Sequence, residues 1–320
     1  MIDRRLSIAP MMDHTDKHFR YFMRLLTKHS VLYTEMITTG ALIHGNRNEF
    51  LSFNSNENPI AIQLGGNHPK ELAECACMAE NEGYDEINLN IGCPSDRVQN
   101  GKFGASLMSN KDLVAECVNN ISANITIPVT IKTRIGIDNH DSYEFLKEFV
   151  GTVSQAGCKT FIIHARKAIL RGLSPKENRN IPPLDYKRVY KIKETFPNID
   201  IIINGGFTRI EQIEPQFEYV DGVMIGRAAY KNPFLIATID NLIFNDSQTL
   251  VTRKNILEKY KSYAEKQIQK GVSLSNLTRH VIGLYQGQPG ARKYRQMISS
   301  DILKNKNNIN FFEEIIKSIA

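Results

Sequence analysis

Short runs dense in aliphatic residues recur along the chain: LSIAP, SVLYTEM, PIAIQLGG, EINLNIGC, PVTIKTRIG, KTFIIHAR, IDIIINGG and DGVMIGR. Between them the apolar period changes. LKEFVGTVSQAG places Leu146, Phe149, Val150 and Val153 at helical spacing, and DLVAECVNNI does the same with Leu113, Val114, Cys117 and Val118. Strands that alternate with helices pair in parallel through helical crossovers. About eight such units closing on themselves make an α/β fold of the (β/α)8 TIM barrel type. An open, doubly wound sheet is the structural alternative.

The alternation stops near IFNDSQTLVT, a polar stretch suited to a linker and a helix cap. Beyond it the apolar positions are helical: Ile256, Tyr260, Tyr263; then Leu274, Leu277, Val281, Leu284; then Phe312, Ile315, Ile316, Ile319. The predicted organisation is a barrel over residues 1–244 and a small all-helical domain over residues 245–320, one face packing and another remaining charged.

The 320 residues suit a barrel of about 250 residues with an appendage. The start, MIDRRLSIAPMMDH, lacks the apolar core of a signal peptide, and no run of 18 apolar residues occurs, so a cytoplasmic protein without membrane association is expected. The five cysteines make an odd count and form no CxxC pair, which argues against a disulfide framework and against a metal site. Cys75 and Cys77 read as small helix-packing residues. A monomer is expected.

The charge distribution changes the picture more than the net +6 does. Residues 245–320 hold 13 Lys+Arg against 6 Asp+Glu, whereas residues 1–244 hold 27 against 28. A basic tail on a near-neutral body points to a polyanionic partner, and in the cytoplasm nucleic acid is the usual one.

Barrel enzymes keep their chemistry at the C-terminal ends of the strands. The first strand ends in Pro10, Met11 and Met12, the third in Gln63, and the fourth in Asn90 and Cys93. The fifth ends in Lys132 and Arg134, the sixth in His164 and Arg166, the seventh in Asn204, Gly205 and Gly206, and the eighth in Gly226 and Arg227. Polar residues and glycines thus converge on one rim. INGGF and IGRAAY supply unobstructed backbone N–H groups where barrels often bind phosphate, and Arg227 adds a charge-assisted partner. No GxGxxG follows a strand, so a dinucleotide domain is not supported. FMN fits better, with its phosphate at strands seven and eight and Lys132 near the ring edge.

The run NLNIGCPSDRVQNGKFGASLM, with IAPMMDHTDKHFR, INGGF, IGRAAY and GARKYRQ, resembles the tRNA-dihydrouridine synthases, most closely their A-type subfamily. The resemblance covers essentially the whole chain. It implies reduction of uridines 20 and 20a in the D loop of tRNA, with FMN as cofactor and NADPH as reductant. It implies FMN contacts at Pro10, Met11, Met12, Gln63, Lys132, His164, Asn204, Gly205, Gly206, Gly226 and Arg227. It implies Cys93 as the proton donor, Asn90 at the target nucleotide, and tRNA contacts at Lys176, Arg179, Arg292 and Arg295.

Reducing the C5=C6 bond of uracil takes a hydride at C6 and a proton at C5, so a positioned acid is needed. An ordinary thiol, with a pKa of about 8.5, is mostly protonated at neutral pH and can serve. Arg134, beside Lys132, is expected to stabilise negative charge on the flavin or on the uracil carbonyls. The target base must leave its stack at a cost of a few kcal/mol, and phosphate contacts must offset that. HARKAILRGLSPKENR supplies six basic residues, His164 among them, and one Glu. PSDRVQNGKFGASL reads as a mobile loop whose glycines permit movement. Two alternatives are a flavin-dependent barrel reductase of a free pyrimidine or other small molecule, and a non-catalytic RNA-binding protein.

Overall fold

In the computed structural model, which describes residues 2–245, 251–301 and 310–318, each predicted run forms a strand. These are β1 (Leu6–Ile8), β2 (Leu32–Thr38), β3 (Ile60–Gly65), β4 (Glu86–Ile91), β5 (Val129–Arg134), β6 (Thr160–His164), β7 (Asp200–Asn204) and β8 (Gly222–Ile225). All neighbours pair in parallel, in the order β1-β8-β7-β6-β5-β4-β3-β2. The ring closes where Ser7 bridges Val31, just ahead of β2; the Ile8 N–H donates to the Val31 carbonyl at 2.9 Å and the Val31 N–H to the Leu6 carbonyl at 3.2 Å. Closure makes this the expected TIM barrel and removes the doubly wound alternative. The two amphipathic patterns form the helices Lys111–Ser122 and Tyr143–Gln155.

Strand side chains alternate between two environments. On β4, Ile87, Leu89 and Ile91 join the apolar layer beneath the helices. The alternate positions, Glu86, Asn88 and Asn90, belong to the lumen, where a separate small cluster holds Ala9, Val31, Tyr33, Ala61, Ile162, Ile202 and Met224. Here the lumen is only partly apolar, and polar side chains fill the sector formed by β3, β4 and β5.

The C-terminal helices pack on the first β/α unit. Arg253–Gln269 lies against the helix Lys17–Arg24: Tyr263 stacks on Tyr21 with centroids 3.8 Å apart, and the Tyr263 hydroxyl and His18 Nδ1 are 2.7 Å apart. Asp16, the N-cap of Lys17–Arg24, accepts from Arg279 at 2.5 Å and lies 3.1 Å from His280 Nε2. One continuous apolar cluster runs from the barrel into these helices.

Val281 and Leu284 are buried as their spacing predicts, but the helix Leu274–Thr278 ends before them and turns run to Gly290. The reason lies at Gly283, where a Cβ would stand 2.6 Å from the Lys231 carbonyl oxygen and 2.8 Å from that of Tyr230. The chain presses backbone against backbone there and leaves the helical path. Phe312 and Ile315 are buried on Asn310–Ser318. Ile319, the side chain of Ile316 and residues 246–250 of the expected linker lie outside the described residues.

The barrel seam imposes a similar demand at Gly222, where a Cβ would sit 2.1 Å from the Arg4 carbonyl oxygen. Gly222→Ala is therefore expected to lower the unfolding free energy by about 2–3 kcal/mol, read from the midpoint of urea denaturation. An unchanged midpoint would remove this account of the seam.

Candidate active site

Cys93 stands two residues beyond β4, and its backbone is held on each side. Asn90 Oδ1 accepts the N–H groups of Gly92 at 3.2 Å and Cys93 at 2.9 Å. The Cys93 carbonyl accepts the Ala105 N–H at 2.9 Å, and Arg134 Nε donates to the Gly92 carbonyl at 2.9 Å. The thiol is partly exposed and donates to Ser95 Oγ at 3.4 Å. A short turn is thus fixed from three directions around a half-buried cysteine.

The segment after Cys93 differs from the expected mobile loop. It folds into a helix at Asp96–Asn100 and a 3-10 turn at Gly104–Ser109, with Val98, Ala105, Leu107 and Met108 buried. Its glycines permit close approach rather than movement. At Gly104, with φ +71°, a Cβ would stand 2.3 Å from Val98 Cγ1 and 2.6 Å from the Cys93 carbonyl oxygen. Gln99 Nε2 then donates both to the Pro94 carbonyl at 2.8 Å and to the Leu170 carbonyl at 2.7 Å, joining this segment to the one after β6.

Strand pairing aligns Asn90 with Lys132, Arg134 with His164, and His164 with Asn204, so the expected residues of β4 to β7 reach one rim. Lys132 Nζ donates to Asn204 Oδ1 at 3.2 Å, and Asn204 Nδ2 donates to the Met224 carbonyl at 2.8 Å. Burial, with Arg134 and Arg179 nearby, lowers the Lys132 amine to about 7. Burial, with Arg134, Lys132, Arg166 and Arg227 around it, pushes His164 well below the usual imidazole range. His164 is accordingly neutral, and its buried Nδ1 has no hydrogen-bond partner among the described residues.

Arg134, expected to face the substrate, is 5% exposed. Besides the Gly92 carbonyl, its Nη1 takes the carbonyls of Lys167 and Asn178, each at 3.2 Å. Its guanidinium braces the Cys93 turn against the segment after β6, because three carbonyl oxygens converge on the planar donor fork. Asn178 organises that segment in turn, accepting the Ile169 N–H at 2.7 Å and donating to the carbonyls of Ile169 and Leu173. Sequence reasoning singled out neither Asn178 nor Gln99, and a lone amide in a polar loop carries no signal that could have found them.

At the other side of the rim, Gly205 (φ +124°) and Gly206 (φ +85°) lie so close to Leu184 that a Cβ would stand 2.9 or 2.7 Å from its methyl carbons. Gly226 is open: a Cβ there would meet only Ala9 Cβ at 3.6 Å and Met11 Sδ at 3.9 Å. Met12 is 51% exposed, and Pro10 and Met11 are partly buried. Arg227 donates to Asn180 Oδ1 at 2.9 Å and to the Arg179 carbonyl at 3.3 Å, tying the end of β8 to the same segment. The open Gly226, the unpartnered Nδ1 of His164 and the surrounding cations fit an anionic, heteroaromatic cofactor, and the residues present are compatible with FMN.

Lys176 and Arg179 lie exposed on the segment after β6. Arg292 and Arg295 are exposed on the helix Ala291–Gln296, whose Tyr294 is buried, and Arg295 donates to Gln286 Oε1 at 3.0 Å. Most of the sequence-predicted residues therefore stand at the strand ends, on the segment after β6 or on the tail, but Gln63, expected at the end of its strand, is buried within β3 one layer below Asn90, paired with Asn88. Among the described residues no group of three or more His, Cys, Asp or Glu is placed to hold a metal ion. No described helix is long and apolar enough to cross a membrane.

The family model described as Dihydrouridine synthase (Dus) matches residues 7–320. A Shewanella oneidensis protein named tRNA-dihydrouridine(20/20a) synthase is 52% identical over 318 residues, covering 99% of this chain and 95% of its own length. Proteins of the same name from Vibrio cholerae and Escherichia coli K12 are each 53% identical. They cover 98% and 99% of this chain, and 96% and 92% of their own lengths.

The depressed Lys132 amine has a thermodynamic signature. Below pH 7 the amine is protonated in both states, and the folded protein holds a desolvated cation. Between about 7 and the ordinary 10.5 the unfolded chain binds more protons, so stability rises with pH across that window. Urea denaturation of the cofactor-free protein at pH 6.5, 8 and 9.5 is expected to show this rise relative to Lys132→Met. Parallel curves for the two proteins would remove the inference.

Proposed function

The chain belongs to the dihydrouridine synthase family, and from that membership we propose that it reduces uridines 20 and 20a in the D loop of tRNA to 5,6-dihydrouridine. FMN is the proposed cofactor and NADPH its reductant. The observation that carries this reading is the presence, on one barrel rim, of the half-buried Cys93 with Lys132 and with His164, whose Nδ1 has no partner among the described residues.

When bound, reduced FMN would supply hydride chemistry at the uracil C6. The protein's own residues hold the other components. Cys93 Sγ is proposed to deliver the proton to C5, and the three-sided support of its backbone holds the turn that carries the sulfur. Lys132 and Asn204, hydrogen-bonded to each other, are proposed to sit beside the flavin ring. Pro10, Met11, Met12, Gln63, His164, Gly205 and Gly206 are proposed to line the cofactor site, and Gly226 with Arg227 to receive its phosphate. Asn90 is proposed to meet the target base. We assign Arg134 to support of the Cys93 turn, since its donors already engage backbone carbonyls.

Residues 1–244 are the proposed catalytic part and 245–320 the tRNA-gripping part. Lys176 and Arg179 beside the rim, with Arg292 and Arg295 on the tail, offer two separate positive surfaces for one folded polyanion. Their contacts offset the cost of turning a base out of its stack. A reductase of free pyrimidines has no use for the second surface.

Turnover of unmodified tRNA, compared with that of free uridine, tests the reading; equal efficiency on free uridine would overturn it. Cys93→Ala is expected to retain bound FMN and its reduction by NADPH while dihydrouridine formation falls about a hundredfold or more. Near-normal product would reassign the proton. Arg292→Ala combined with Arg295→Ala is expected to weaken tRNA binding about tenfold and to lower the salt slope by about 2, with flavin content unchanged. Loss of flavin instead would give those arginines a role in the fold.

A further inference from the structure

A row of hydrogen bonds runs up the barrel lumen from its floor to the Cys93 turn. At the bottom Glu86, fully buried, accepts from Arg4 Nε at 2.8 Å and from the Tyr33 hydroxyl at 2.7 Å. Thr130 Oγ1 donates to Glu86 Oε1 at 2.6 Å, and Asn88 Nδ2 donates to Thr130 Oγ1 at 2.9 Å. Gln63 Nε2 donates to Asn88 Oδ1 at 2.7 Å, Asn90 Nδ2 to Gln63 Oε1 at 2.8 Å, and Asn90 Oδ1 receives the Gly92 and Cys93 N–H groups.

The two ends of this row impose the same direction. A carboxylate only accepts, so the single Thr130 proton points at Glu86; the other acceptor in reach, the Ile87 carbonyl at 3.4 Å, is longer and neutral. Thr130 must then accept from an Asn88 N–H, which turns the Asn88 oxygen toward Gln63 and the Gln63 oxygen toward Asn90. Backbone N–H groups only donate, so the Asn90 oxygen must face the Cys93 turn. Each amide has one orientation that satisfies both neighbours.

We propose that Glu86, acting through Thr130, Asn88 and Gln63, is the positioning residue that fixes the orientation of Asn90, and with it the Cys93 turn and the hydrogen-bonding character of the rim. The Asn90 oxygen is filled by two N–H groups, so what Asn90 offers a bound base is its remaining N–H. That donor matches a carbonyl edge, as uracil presents, and opposes the amino edge of cytosine. The inference rests on the reading of this rim as the site of uridine reduction.

Thr130→Val removes the hydroxyl at nearly constant volume, and Thr130→Ser retains it. The expected result is a single-turnover rate on unmodified tRNA about tenfold lower for Thr130→Val and close to wild type for Thr130→Ser. Amide hydrogen exchange at Gly92 and Cys93 in the cofactor-free protein should be faster in the first variant only. Asn88→Asp sets two carboxylates around one Thr130 proton. Protonating the introduced carboxyl restores a donor toward Thr130 and an acceptor toward Gln63. Its rate relative to wild type should therefore rise as pH falls from 8 to 6.

A Thr130→Val enzyme with wild-type rate and exchange, or an Asn88→Asp enzyme whose pH profile parallels wild type, overturns the proposal. If Thr130→Val does not fold, Thr130→Ser and Asn88→Asp decide it alone. A wild-type protein inactive on tRNA would refute the functional reading, while the exchange rates would still test the relay.

Discussion

A carboxylate in the lumen of a closed barrel has no water to solvate it, and burying such a charge without partners costs several kcal/mol. Glu86 is placed there, and the surrounding structure follows from satisfying it. Arg4 neutralises it from below and Tyr33 donates from β2. Gly222 clears space for the backbone that carries Arg4. Above, every polar side chain up to Asn90 takes the orientation that leaves none of these lumen amides without a partner. A parallel barrel whose lumen were filled by branched aliphatic residues would close just as well, but it would carry no direction from floor to rim.

At the rim the organising quantity is positive charge held in poor solvent. Burial, with Arg134, Lys132, Arg166 and Arg227 around it, keeps His164 neutral, and burial, with repulsion from Arg134 and Arg179, lowers the Lys132 amine. These costs are borne by the barrel scaffold. Arg134 and Gln99 each contact both the Cys93 segment and the segment after β6. The Cys93 turn and the basic surface beside it are therefore joined at two points by side chains from different elements.

The strands, their order and the rim residues Asn90, Cys93, Lys132, His164 and Asn204 were legible because a barrel strand announces its C-terminal end by a change from aliphatic to polar residues. Glu86, Asn88 and Thr130 stand in the same runs without that mark. Alternating polar residues in a strand ordinarily mark a solvated face, and only closure of the ring turns that face into a lumen. Residue type also reports charge without reporting its use: Arg134 reads as a free cation until three carbonyls are found around it. The glycines after Cys93 read as freedom, whereas Gly104 is there because Val98 and the Cys93 carbonyl leave no room for a side chain. Local sequence carries period and polarity; it carries neither close approach nor the partner that consumes a donor.

The stacking of Tyr263 on Tyr21 and the grip of Arg279 on Asp16 attach the tail to the first β/α unit, whose strand leads directly to Pro10 and Met11 on the rim. The separation between the tail's arginines and the Cys93 sulfur is thereby set by the fold. On the proposed function, a long, stiff molecule held at both places would be measured as by a caliper, and its own shape would decide which of its residues arrives at the thiol.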